Sequence, residues 1–295
     1  MRYGPHENLV APARPSAALR LLAGGIILTI LIYYTLNYLT WMVLLAVLPA
    51  DMGSELLASL GSSGTPLDVI LSLFLFGLLS MAIHMTLRIL HQRDLRTLIG
   101  PIHQAATQFR RVVVALALLF LVVLLLPMPD ELSPVPNLAF SRWILLLPLT
   151  VLALLIQTSA EELAFRGYIQ SQLAARFPSP LIWIGVPSML FGLVHYDPSL
   201  PTMNAMVIIA WATLFGAAAA DLTARSGTLG PAIALHMVNN FNAIAIAAPD
   251  GAFDGAALFT YPFSLASTDA LFIWAPVDLM ILFCAWLAAR LALRR

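Results

Sequence analysis

Lysine is absent from this chain: all 15 of its basic residues are arginine. There is one cysteine, Cys284, and charged residues make up only 10% of the 295 positions. A lone cysteine excludes an intrachain disulfide and a cysteine-based metal cluster. A soluble domain carries roughly 25% charged residues, so this chain has too few to cover a water-facing surface. Net charge is zero, which leaves no basic patch for phosphates and excludes a nucleic-acid binder. What is present is apolar: 60% of residues are hydrophobic and the mean hydropathy is +0.89. The class indicated is an all-α polytopic membrane protein.

A membrane-spanning helix needs about 20 mainly apolar residues. Eight segments are predicted to span, at roughly 17–49, 65–90, 111–127, 142–165, 181–196, 204–222, 231–248 and 270–292. The first is too long for the core of a cleaved signal peptide and reads as an anchor. Arg2, Arg14, Arg20, Arg88, Arg93, Arg96, Arg110, Arg111, Arg176, Arg225, Arg290, Arg294 and Arg295 fall on one set of loops, as does Arg166 if it is counted with them. The opposite loops carry Asp51, Glu55, Asp130, Glu131, Asp197, Asp250, Asp254 and Asp269, and only Arg142 breaks the pattern. By the positive-inside rule both termini are cytoplasmic, which suggests a multi-pass protein of a bacterial or archaeal cytoplasmic membrane.

Three regions follow from this. Residues 1–141 hold spans 1–3 and their loops, 142–248 hold spans 4–7, and 249–295 hold an outer loop and span 8. The loops 50–66, 127–141 and 249–269 read as plain connections. The stretch 91–110 reads as a short interfacial helix, with Leu95, Leu98, Ile99 and Ile102 on one face.

Ionisable side chains inside a span are costly and mark candidate functional groups. They gather in spans 4–7. Glu161, Glu162 and Arg166 lie in the fourth, Phe191 and His195 in the fifth, and His236 and Asn240 in the seventh. Residues four apart share a helix face, so Glu162 and Arg166 can pair while Glu161, about 100° away, stays free. The Pro178-Ser179-Pro180 turn predicts a hairpin that brings Glu161 and His195 to similar depth. A carboxylate in a low-dielectric site is a usable base near neutral pH. A histidine beside it can polarise a water, and a second histidine with an asparagine amide can donate to an oxyanion. The same groups can instead hold zinc, through Glu161, His195 and His236.

The polar residues outside this set have structural readings. Asn239 and Asn242 are expected to bond between helices, His84 to pack alone, and Trp183 and Tyr196 to pack or sit at an interface. Asp278, after Pro276, has no evident partner.

The patterns Glu-Glu-x-x-x-Arg, Phe-x-x-x-His and His-x-x-x-Asn occur here in that order as Glu161-Glu162…Arg166, Phe191…His195 and His236…Asn240. In these motifs, over about 150–245, the chain resembles the CAAX-processing and bacteriocin-processing (CPBP, or Abi) membrane proteases, type II CAAX prenyl endopeptidases among them. The resemblance implies an intramembrane endopeptidase acting on a membrane-associated protein or peptide. Glu161 aided by His195 would activate water, and His236 with Asn240 would form the oxyanion site. Glu162 and Arg166 would brace the first motif, and Phe191 would line the cavity. The preferred reading needs no cofactor, with zinc as the alternative. Rival functions are a catalytically silent binding or immunity protein and a proton-coupled transporter.

Overall fold

The computed structural model describes residues 3–49, 53, 64–127 and 132–294. Arg2, Asp51, Glu55, Asp130, Glu131 and Arg295 of the orientation argument lie outside them. Among the described residues, six helices are long and apolar enough to cross a membrane. They are α1 (Leu19–Val47), α2 (Pro66–His91), α3 (Ile102–Val123), α4 (Phe140–Arg176), α6 (Thr202–Ser226) and α8 (Thr268–Leu293). The fifth and seventh expected spans are shorter helices: α5 (Pro180–Leu193), and α7 (Gly230–Asn240) extended by a π-helical turn over Phe241–Ile246. A π-helical turn over Leu163–Gln170 also interrupts α4.

Local signals set several of these boundaries. At the start of α2, Thr65 caps the helix, accepting from the Asp68 amide while the Asp68 carboxylate accepts from the Thr65 amide, with Pro66 at the first helical position. Helix α6 ends at Gly227, whose φ of +74° is the left-handed geometry that a Cβ disfavours. A Cβ there would also run into the Pro5 carbonyl oxygen.

Two expectations need correction. The interfacial helix over 91–110 does not form. Arg96–Ile99 is a single turn, Leu98 is fully buried, and Ile102 already opens α3. Arg166 is fully buried within α4, as a fourth helix running on to about 176 implies, so it is not counted in the one-sided arginine set. Segments read as plain connections, with the last two residues of the expected seventh span, also build something: Val135–Pro136, Ala247–Pro249 and Phe259–Tyr261 form a three-stranded sheet at one end of the bundle. Asp278 finds its setting there. Burial, with Asp278 nearby, raises the Tyr261 hydroxyl to about 12.

Helix α6 runs through the middle of the bundle, its Ala212, Phe215, Gly216, Ala219 and Ala220 all buried. Small residues let neighbouring helices approach closely, which is how helices associate where the solvent is itself apolar. The outward faces are apolar instead: Val47, Leu125 and Leu145 are each more than three-quarters exposed, as lipid-facing residues are.

The N-terminal segment closes the end of the bundle opposite the sheet. Tyr3 donates to Asp221 at 2.8 Å, Asn8 donates to the Gly227 carbonyl at 3.4 Å, and the His6 ring lies 4.9 Å from that of Trp183. Burial lowers the His6 pKa to about 4, against a small opposing pull from Glu7. The unfolded chain therefore takes up this proton first as pH falls. The stabilisation is whole above the unfolded value of about 6.5 and is lost as pH drops towards 4. Thermal unfolding between pH 7 and 4.5 should show this loss, and His6→Phe should flatten the dependence.

Candidate active site

The buried polar residues of α4 and α7 converge. Glu161 and Glu162 close the regular part of α4 just before its π turn, and His236 and Asn240 stand on α7 just before the other π turn. Single π turns inside α-helices recur at functional sites. Here one turn begins inside the first motif and contains Arg166, and one directly follows Asn240, while a third, over Leu87–His91 in α2, adjoins no motif.

His236 is the centre of the arrangement. Its Nδ1 lies 2.8 Å from Glu162 Oε1, and its Nε2 faces Glu161 Oε2 at 3.6 Å. Glu162 Oε1 also accepts from Arg166 Nη1 at 3.0 Å, with both side chains fully buried. The array therefore runs guanidinium, carboxylate, imidazole, carboxylate. With Nδ1–H given to Glu162, the Nε2 edge is the one offered to Glu161. The imidazole therefore stands between two carboxylates, one of them already paired with a guanidinium.

Phe191 holds this array from the α5 side. It is buried, with the Arg166 guanidinium 4.4 Å from its ring centre and the His236 ring 5.7 Å away, edge-on. It packs directly against the site. On α6, Gly216 makes room for Arg166: a Cβ there would lie 3.0 Å from the Ser188 Cα and 3.2 Å from Arg166 Nη2. Gly216→Ala should cost about 1–3 kcal/mol by overpacking, read by thermal unfolding of the purified protein.

His195 is placed differently from the rest. Helix α5 ends at Leu193, and His195 lies in the following turn, exposed, its Nδ1 donating to the Phe191 carbonyl at 2.7 Å. That bond leaves Nε2 as the free acceptor. Among the described residues no hydrogen bond or ion pair joins His195 to Glu161; Phe191 stands between the two histidines, 4.7 Å from the His195 ring. The α4–α5 hairpin forms, with a π turn inside α4 and α5 ending two residues before His195. No group of three His, Cys, Asp or Glu side chains among the described residues is placed to hold a metal ion. Glu161, His195 and His236 in this arrangement do not make a zinc site.

Sequence reasoning missed Gln157. It is buried one turn before Glu161, donates through Nε2 to Glu161 Oε1 at 2.8 Å, and accepts from Asn240 Nδ2 at 3.0 Å. Asn239 Nδ2 in turn donates to Asn240 Oδ1 at 3.3 Å. The chain of amides fixes the Asn240 carboxamide so that its second N–H stays available. The available signal was position alone: a polar residue four before a catalytic candidate, on its face. Gln157→Leu should lower turnover about 10–100-fold by letting Glu161 and Asn240 shift, with Gln157→Glu failing to restore it because a carboxylate cannot donate to Glu161.

These residues lie within the stretch that comparison with known proteins singles out. Residues 143–242 match the family model described as Type II CAAX prenyl endopeptidase Rce1-like. The match supports membership of the CAAX-protease family and, with the apolar helices, a membrane protease. The chain is also similar to the uncharacterized protein YyaK of Bacillus subtilis (strain 168), at 29% identity over 183 residues. That similarity covers 59% of this chain and 59% of the relative, so the chain spans about three-fifths of the curated protein it matches. No solved structure matches.

Proposed function

We propose that this chain is a multi-pass endopeptidase that hydrolyses a peptide bond of a membrane-anchored protein or peptide, without a metal. The observation that carries the reading is His236 held between Glu162 and Glu161, with Arg166 behind Glu162. It is supported by the family match over the same residues.

Glu161 Oε2 and His236 Nε2 face one another at 3.6 Å, too close for a water between them, so the attacking water sits to one side and bonds to both. Glu161 takes the water's proton as its oxygen attacks the carbonyl carbon. The carbonyl oxygen becomes an oxyanion. Protonated His236, anchored through Nδ1 by Glu162, donates to it from Nε2, and Asn240 donates its free N–H. The C–N bond breaks, and Glu161 returns the proton to the leaving nitrogen. His195 reaches that water only by moving past Phe191, which stands between it and His236. Glu162 and Arg166 position and do not react. The membrane orientation that goes with this places both termini in the cytoplasm.

The test is a comparison of membrane proteomes from cells making the wild type and Glu161→Gln, with new protein termini mapped. Termini present only with the wild type establish proteolysis and name the substrate. Identical termini from equally abundant, folded proteins would overturn the protease reading in favour of a silent binding protein. A chelator added to the isolated membranes should leave cleavage intact.

A further inference from the structure

The end of the bundle closed by the N-terminal segment carries a hollow of about 560 Å³ that the proposed reaction does not use. Its walls are Arg14, Pro15 and the stretch from Ala17 to Arg20, with the last two residues of α4, Ala175 and Arg176. Three arginines line it and no carboxylate does. Arg14 is satisfied, since both of its terminal nitrogens meet the Glu7 carboxylate. Arg20 and Arg176 are exposed and, among the described residues, have no ion-pair or hydrogen-bond partner. Two unneutralised guanidinium groups therefore face one concavity.

The position of the hollow narrows what can fill it. Arg20 is in the first turn of α1 and Arg176 in the last turn of α4, so both stand where an apolar membrane-crossing helix meets its polar end. Apolar surface accompanies them: Leu19, in the wall of the hollow, is 49% exposed, and Leu181, five residues after Arg176 at the start of α5, is 85% exposed. A ligand seated here meets cations at its head and apolar side chains just below. Guanidinium groups bind phosphate oxygens in pairs, with geometry that an ammonium lacks. A phosphate tethered to acyl chains satisfies both halves of the site, whereas a soluble anion satisfies only one.

We infer that the hollow between Arg20 and Arg176 binds the headgroup phosphate of an anionic membrane phospholipid, pinning the N-terminal segment to the end of the helix that carries Glu161. The bound lipid bridges two elements far apart in sequence and so stabilises the folded state by mass action. The inference is independent of the protease reading, because it concerns the last turn of α4, well beyond Glu161, and is tested without substrate.

The experiment uses the full-length protein in nanodiscs of phosphatidylcholine alone or with one part in five phosphatidylglycerol. Thermal unfolding of the wild type should rise by about 5 °C with the anionic lipid. The rise should vanish in Arg20→Gln/Arg176→Gln. It should persist in Arg88→Gln/Arg110→Gln, which removes two exposed arginines that do not line the hollow. Native mass spectrometry should find phosphatidylglycerol retained on the wild type and missing from the first variant. Equal loss in both variants would mean general surface charge and would overturn the site. A rise produced in phosphatidylcholine by inorganic phosphate alone would assign the hollow to a soluble anion. A rise produced there by an acidic peptide, with none from phosphatidylglycerol, would assign it to a protein segment. Either result contradicts the lipid.

Discussion

Glu161→Gln should lower turnover about 10²–10⁴-fold, the range a positioned general base contributes, while leaving the protein folded. The reason for the small structural cost is geometric. Glu161 Oε1 accepts from Gln157, but Oε2 is buried without a hydrogen-bond partner among the described residues and meets His236 only at 3.6 Å. A glutamine oxygen can keep the first contact, and its amide occupies the second position without acting as a base. A thermal unfolding curve close to that of the wild type, together with loss of cleavage, would separate chemistry from folding. Loss of folding would instead make Glu161 a structural residue. His195→Ala should cost less than His236→Ala, because His195 is exposed and bonded only to backbone, whereas His236 touches both carboxylates.

Arg166→Met should produce the largest loss of stability, about 3–5 kcal/mol, the cost of removing one partner of a buried ion pair. Arg166 and Glu162 are both fully buried, and the methionine would leave Glu162 with only His236 to answer its charge. The double variant Glu162→Gln/Arg166→Met should recover part of that loss, because no uncompensated charge remains. It should stay inactive, because a neutral amide in place of the Glu162 carboxylate can no longer hold a protonated His236. Chemical unfolding of the two variants in one detergent checks the order. A single variant as stable as the wild type would mean that the pair contributes nothing to the fold.

The sequence made the site's membership legible because charge in an apolar helix stands out. Glu161, Glu162, Arg166, His236 and Asn240 each interrupt a hydrophobic run, and helical spacing alone predicted the Glu162–Arg166 pair that forms at 3.0 Å. Connections within the site were less legible. His236 bridges to both glutamates through two helices 74 residues apart, and no local pattern states which histidine on which helix will do so. Gln157 belongs to no motif, and its role exists only through Asn240. The π turns leave hydrophobic spacing nearly unchanged, so they too were not legible in the sequence.

The fold shows the same division. Long apolar helices announced themselves by length. The start of α3 did not, because His103, Gln104, Arg110 and Arg111 break the apolar run over turns that are helical all the same. The small sheet was invisible because its strands are two or three residues long, too short for alternation to register.

The central claim is that Glu161 and His236 direct a water molecule at a peptide carbonyl. Membranes carrying the wild type, and others carrying Glu161→Gln, can be incubated in water enriched in heavy oxygen, with the new carboxyl termini then analysed by mass spectrometry. The account predicts one heavy oxygen in each new terminus from the wild type and no such termini from the variant. Equal yields of heavy-labelled termini from both would contradict it, because cleavage would then proceed without the carboxylate.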